Sequence, residues 1–455
     1  MRTRVLARVA GAFVGLALGA AALLGCAGHE DRTRTALDAL DRGAPEEAIA
    51  ALDEQLDVKR PEDLPALKGD NALLLLDRGT VLMSVDKYDL SARDLGAADK
   101  SIDLLDMSRS TVDEIGKYLF SDDVGPYKAP AYEKLLINTV NMMNYLARGD
   151  LGGAKVEARR LAIMQKYLRD HEEDGVLLGL GSYLAGFAFE KAGEASEALA
   201  YYDEALKHAQ YPSLRDPIRV LTQGAPRSPG QAALVGDAGP LDPPVATGEG
   251  ELLIVVGFGR VPQKEPRRLP IGLALTLASG ALSGGSASQA NALAAKGLVT
   301  WINYPTLGPS RGSYSTPSLV VDGRGVGMEQ ALDVEAEVRR SWEKKEGTII
   351  AAAITRMITR VLAGEAAQAA ASAAAGKNGG IVGLLVGLAT TATLSAVDTP
   401  DTRCWSTLPS RIALTRLRLP AGAHEVRVAA RGRERSYKVD LQPGGFAFLP
   451  MMVLR

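Results

Sequence analysis

Histidine and cysteine are scarce in this chain, four of the first and two of the second in 455 residues. So few histidines leave little for acid–base or metal chemistry, and His171, His208 and His424 all lack partners at metal-ligand spacing. No HExxH, paired CxxC, GxSxG or GxxxxGK[ST] run occurs. Gly257-Phe258-Gly259 lacks the third glycine of a dinucleotide fingerprint, and Gly323 to Gly327 has the wrong spacing, so both read as turns. Neither sign of charge dominates. A formal net charge of −2 gives no electrostatic footprint for nucleic acid. No catalytic residue, metal or cofactor is expected from these absences.

Charge is also missing from Val9 to Leu24, behind a basic start at Arg2, Arg4 and Arg8. That apolar run is short for a spanning helix and leads into small residues and a cysteine. Leu23-Leu24-Gly25-Cys26 resembles the bacterial lipobox, although Leu24 is bulkier than the Ala or Ser usual there. The resemblance implies that residues 1–25 are a signal peptide and that Cys26 becomes a lipidated N-terminus, with 26–32 as its tether. Multiple acyl chains on one residue suffice for stable anchoring. Ala27, where enteric bacteria use Asp for inner-membrane retention, implies the outer membrane, facing the periplasm. Cys404 then has no intramolecular partner and reads as a buried small residue beside Trp405.

What the chain does have is helical hairpins. LGSYLAGFAFEKAGEASEALAYYDEAL, from Leu180 to Leu206, reads as a helix, a turn at Gly193 and a second antiparallel helix. Small Gly186 and Ala198 permit close approach, while Phe189 and Tyr202 fill the groove between hairpins. Thr35–Leu56, Leu73–Ile102 and Leu135–Met164 repeat the arrangement with turns at Gly43, Asp86 and Gly149, giving a helical region over 33–211. The spacing resembles tetratricopeptide repeats. An insertion separates the second and third units, with a helical pattern at Thr111–Phe120 and then a loop carrying Tyr127 and Tyr132.

Asn144-Tyr145-Leu146-Ala147-Arg148-Gly149-Asp150, Val156-Glu157-Ala158-Arg159-Arg160 and the later Asp401-Thr402-Arg403-Cys404-Trp405-Ser406-Thr407-Leu408-Pro409 carry a further likeness. With the tyrosine-rich loop, they make the chain similar to an uncharacterised family of tetratricopeptide-repeat-containing bacterial lipoproteins. The likeness covers most of the mature chain and implies a repeat scaffold in the envelope, with no established chemistry. Tyr127, Tyr132, Tyr145, Glu157, Arg159 and Arg160 are candidate partner-binding residues. For the last three, a solvated helix face with Glu–Arg pairs is the competing reading.

Seven prolines between Pro212 and Gly250 mark a linker. A mixed α/β region follows over 251–410, with strands at Glu251–Phe258, Leu298–Tyr304 and Ser318–Val321. Helices are expected at Met328–Lys345 and Ile349–Ala375, and the Gly- and Ala-rich Leu273–Ala295 is a candidate to pack on the uncharged Ile381–Val397. Gly379, Gly383 and Gly387 recur every fourth place there, which suits either a buried helix or membrane insertion and oligomer contact. Arg403 with Asp398 or Asp401 reads as an ion pair pinning a turn. Residues 411–455 read as an antiparallel β module around the alternating hairpin Glu425–Leu441.

The expected fold is therefore α+β and multidomain, an N-terminal TPR-like α-solenoid followed by a mixed α/β region ending in an antiparallel sheet. The expected role is a membrane-anchored scaffold or regulator that holds envelope proteins in the groove of its repeats. An oligomeric or pore-associated component built on 379–397, and an envelope enzyme acting on glycan or peptide, are the alternatives.

Overall fold

The computed structural model describes residues 28–68, 70–107, 127–170, 179–222, 225–236, 248–295, 297, 301–311, 315–374 and 399–455. The lipobox with Cys26, the Thr111–Phe120 pattern, His171, Asp398 and the segment 379–397 lie outside the described residues. The molecule is a mixed helix-and-sheet structure.

Eight helices form four antiparallel hairpins at the expected places. They are α1 (His29–Arg42) with α2 (Pro45–Gln55), α3 (Asn71–Ser84) with α4 (Tyr88–Met107), α5 (Ala131–Ala147) with α6 (Leu151–Asp170), and α7 (Gly179–Lys191) with α8 (Ala195–His208). Each turns on a left-handed residue, Gly43, Asp86, Gly149 or Gly193, with φ between 61° and 79°. Close approach at Gly186 is severe, since a Cβ there would lie 2.4 Å from the Tyr202 ring.

The tether ends sooner than expected. Helix α1 already begins at His29, and both His29 and Thr33 are buried. The proline-rich stretch is likewise no extended linker in its described parts. A 3-10 turn (Pro212–Leu214), α9 (Arg215–Thr222) and α10 (Pro229–Val235) occupy it. Pro212 and Pro229 sit at helix starts, where a missing N–H costs nothing, and Ser228 with Gln231 closes a capping box. The Tyr211 hydroxyl donates to the Ala331 carbonyl at 2.9 Å, fastening this stretch to the second half.

Three sheets follow. Strands β1 (Glu249–Phe258), β7 (Arg411–Pro420), β10 (Phe446–Val453) and β6 (Glu329–Asp333) form one, in the order β10-β1-β7-β6. Strand β1 runs parallel to β10 and antiparallel to β7. A second sheet is β2 (Lys264–Pro270) with β3 (Trp301–Leu307), and a third has β5 (Arg324–Val326), β4 (Ser318–Val321), β8 (Gly422–Ala430) and β9 (Arg433–Leu441) in that order. The expected hairpin is thus β8–β9, but 411–455 is not a separate module. Its outer strands β7 and β10 pair with β1 across more than 150 residues of sequence. Strand β1 is buried on both faces. Leu253 and Val255 join the core of the hairpins, while Leu252, Ile254 and Val256 meet Val426 and Val428 of β8.

Helices α11 (Ile271–Leu277) and α12 (Gly284–Ala295) split the single apolar stretch expected over 273–295. Both pack on α13 (Val334–Ala374), whose start also differs from expectation, because residues 329–333 are strand β6. Asp333 decides that boundary, its side chain accepting from the Ala336 N–H at 3.0 Å as an N-cap. By length and composition α13 is the one helix among the described residues able to cross a membrane. Half of its apolar window is buried, with Ile350, Ile354 and Ile358 against Ile271, Ala274 and Ile302, as in a core helix.

Gly186→Ala is expected to destabilise the fold by about 2 kcal/mol, because buried Tyr202 is held by Glu190 and has nowhere to move. Gly153→Ala, whose Cβ would meet the half-exposed Tyr145, should cost clearly less. Urea unfolding of the two variants measures the difference, and equal costs would contradict this packing.

Candidate functional site

Residues 401–410 connect to β7 and run as a strap into the stack of hairpins. Arg403, Cys404, Trp405, Ser406 and Thr407 are all buried, which a segment this polar tolerates only if its groups are paired. They are. The Trp405 backbone N–H donates to Glu133 Oε1 at 3.1 Å and its indole Nε1–H to Thr80 Oγ1 at 3.0 Å. Asp77 Oδ1 accepts from the Thr407 N–H at 2.9 Å and from the Thr407 hydroxyl at 3.0 Å. His29 Nε2 lies 3.1 Å from the Cys404 carbonyl oxygen and 3.5 Å from Asp77 Oδ2. Arg403 pairs with Asp401 at 2.8 Å, as the sequence suggests, and also reaches Asp70 at 2.9 Å. From the other side, Lys264 Nζ donates to the Arg403 carbonyl at 2.9 Å and the Val261 N–H to that of Leu408 at 3.0 Å.

Two of the candidate partner-binding tyrosines belong to this interior. Tyr132 lies in α5, Tyr127 precedes it, and both are buried with their hydroxyls on the Glu133 carboxylate. Burial raises the Glu133 pKa, while the Tyr127 hydroxyl and the Trp405 N–H pull against that shift. Neither tyrosine presents a surface to a partner, and the loop reading of Tyr132 is corrected. Glu157 is also buried, accepting from Asn138 and Asn141 at 3.0 and 3.1 Å, so it is not a surface contact. Arg160 is half-buried and paired with Asp99 and Glu157. Tyr145 covers Gly153, and only Arg159 is fully outward, its guanidinium 5.5 Å from the centre of the Phe189 ring. The six residues do not converge on one site.

The motifs around them are structural. Asn144 donates to Ser91 at 2.8 Å, Gly149 makes the left-handed turn, and Asp150 accepts from the Gly153 N–H at 2.8 Å at the start of α6. Sequence reasoning missed His29, Asp77 and Glu133, because each acts on a residue more than 250 positions away. The one available signal was charge within an otherwise apolar helical run, as at Asp77 in LLLLDRGTVLM.

Beside the strap opens a cavity of about 360 Å³, walled by the start of α5, the end of α6, the segment leading into β2, and α13. Four lysines line it, Lys128, Lys134, Lys264 and Lys345, with Tyr132, Tyr167 and Trp342 as aromatic walls and Cys404 at one side. No carboxylate is among the described residues that line it. Among the described residues no group of three or more His, Cys, Asp or Glu is placed to hold a metal ion.

A second buried polar cluster joins the halves at the far end of the stack. Arg416 pairs with Glu190 at 2.6 Å and Glu251 at 2.5 Å and donates to the Tyr202 hydroxyl at 3.0 Å, while Lys191 contacts both carboxylates. Burial alone would raise the Glu190 pKa, but Arg416 and Lys191 outweigh it and hold it below the usual carboxylate range.

Searches against protein-family models and curated proteins find no match to this chain.

Because the folded Glu190 pKa lies below its unfolded value, its contribution is fully present above about pH 5 and lost as the pH falls through the folded pKa. Glu190→Gln should cost about 3 kcal/mol at pH 7. In urea unfolding the gap to wild type should stay level from pH 7 to 5 and close below pH 4.5. A gap that widens in acid would contradict this linkage. Burial also pushes the Cys404 thiol up to about 11. At pH 8 the native thiol should react with a disulfide reagent about 100-fold more slowly than the unfolded chain. Equal rates would place Cys404 outside the core.

Proposed function

We propose that this chain is a lipid-anchored protein of the bacterial cell envelope that binds other envelope proteins on a rigid TPR-like scaffold. The lipobox resemblance at Cys26 supports the anchor, and four hairpins in one register support the repeat reading. The partner surface differs from the groove that the sequence suggested. The inner helices of the stack are covered by the chain's own strap and by β10, with Phe187 of α7 5.5 Å from Phe446 and 6.5 Å from Phe448. Among the described residues, this leaves the inner helices α3, α5 and α7 in contact with the chain's own second half.

The observation that carries the reading is on the outer face of α6. Val156, Ile163 and Tyr167 are 51%, 71% and 52% exposed, and their spacing of seven and four residues puts them on one stripe. Single exposed apolar residues need no explanation, but three aligned on one helix, with Arg159 alongside, form a docking stripe. Arg159 suits an acidic residue on the partner. A photoreactive residue at position 163 should trap a discrete partner in the native envelope, and the same residue at buried Thr407 should not. Adduct lost on Ile163→Asp with an unchanged melting temperature would support the stripe. Failure to crosslink at 163 in acylated protein would remove it.

A further inference from the structure

We infer that His424 is a proton-dependent latch that fastens the β4–β5 hairpin to the corner where the chain passes from the first sheet into the third. The latch depends neither on the lipid anchor nor on the α6 stripe.

The corner is short. Strand β7 ends at Pro420 in the first sheet and β8 begins at Gly422 in the third, with Ala421 between them. The Ala421 N–H donates to the Gly248 carbonyl at 2.9 Å, which pins the corner to the start of β1. His424, only 9% exposed, lies just inside β8. Its Nε2 is 2.8 Å from the Pro420 carbonyl oxygen and its Nδ1 is 2.7 Å from Asp322 Oδ2. Asp322 is a left-handed residue, φ 49°, in the turn between β4 and β5. Its other carboxylate oxygen accepts from the Glu425 N–H at 2.9 Å, and its own N–H donates to the Glu425 carbonyl at 2.9 Å. One imidazole ring therefore joins the hairpin turn to the corner.

The chemistry follows from what faces the ring. A carbonyl and a carboxylate oxygen only accept, and a neutral imidazole has one N–H, so it leaves a lone pair against one of them. The imidazolium donates to both. The bond to Asp322 is the main cause that raises the His424 pKa. Burial opposes it, and the Pro420 carbonyl and Asp440 of β9 add to it. The other charged groups around the latch are Arg324, which also attracts Asp322, and Glu425 with Lys438 opposite it on β9. Because the folded His424 pKa lies above its unfolded value, its contribution is full below about pH 6.5 and lost as the pH rises through the folded pKa. Asp322 is held below its usual range, chiefly by His424, so its contribution is full above about pH 4 and lost as the pH falls through the folded pKa. The latch is closed between these limits and releases the hairpin as the ring loses its proton.

The test is amide hydrogen exchange of the full chain and its His424→Gln variant, read by mass spectrometry on peptides covering 318–326 and 422–430. At pH 6 these peptides should exchange about fivefold more slowly in the wild type, the worth of one partly exposed ion pair. At pH 9 that advantage should shrink, whereas a packing role alone would keep it constant. Asp322→Asn retains a residue that tolerates the left-handed turn and an acceptor for the Glu425 N–H, but removes the charge. Followed by NMR of 15N-labelled histidine, the His424 midpoint should lie above that of free histidine in the wild type and fall towards it in Asp322→Asn. That titration decides the matter should His424→Gln fail to fold. An equal advantage at pH 6 and pH 9, identical midpoints in wild type and Asp322→Asn, or a singly protonated ring at pH 6 overturns the latch. A slowing that extends equally to peptides of α7 and α8 also overturns it, because the effect would then be global.

Discussion

Two carboxylates inside the stack of hairpins, Asp77 and Glu133, set the terms for the rest of the molecule. Each is buried in a helix, and an uncompensated buried carboxylate costs several kcal/mol. Tyr127 and Tyr132 give Glu133 local hydroxyl donors, but the Trp405 N–H to Glu133 and the Thr407 N–H and hydroxyl to Asp77 arrive from more than 250 residues away. The stack is thus incomplete without the strap. The strap in turn has no other place for the Trp405 ring, which is fully buried with its indole N–H on Thr80. Such mutual satisfaction makes the helical and α/β parts one cooperative unit, because undocking would strand polar groups on both sides.

Four arginine ties between the halves share a pattern. Arg260 reaches the Leu37 carbonyl and Asp41 at the end of α1, Arg403 reaches Asp70 before α3, and Arg435 contacts the Ser84 carbonyl and Asp86 at the turn after α3. Arg416 holds Glu190 at the end of α7. In every case an arginine of the second half binds oxygens near a helix end in the first. Three of the four sit near helix C-termini, which carry unpaired carbonyls and partial negative charge, whereas Asp70 precedes a helix N-terminus; at each, a planar guanidinium satisfies several acceptors from one side chain. A lysine in these places would bring the charge but not the fork.

The hairpins were legible in the sequence because their signals are local. The turn residues Gly43, Asp86, Gly149 and Gly193 and the small residues at Gly186 and Ala198 all act within about 20 positions. Strands β8 and β9 were legible for the same reason, since alternation and a Gly432 turn lie within one hairpin. The β10-β1-β7 pairing was not, because nothing in a strand's own residues names a partner more than 150 positions away. Prolines misled where they start helices, at Pro212 and Pro229, instead of breaking them. The candidate site fared worst. Tyr127, Tyr132 and Glu157 carry chemistry that suits a binding surface, and only tertiary context turns that chemistry inward.

That inward turn narrows where a partner can act. In this chain the strap and β10 cover α3, α5 and α7, and competing with them would mean breaking the bonds to Asp77 and Glu133. Among the described residues the accessible features include the outer stripe of α6 and the lysine-lined cleft at its end, and Tyr167 belongs to both. A ligand seated in the cleft would therefore touch one end of the stripe, through a side chain on the last turns of α6.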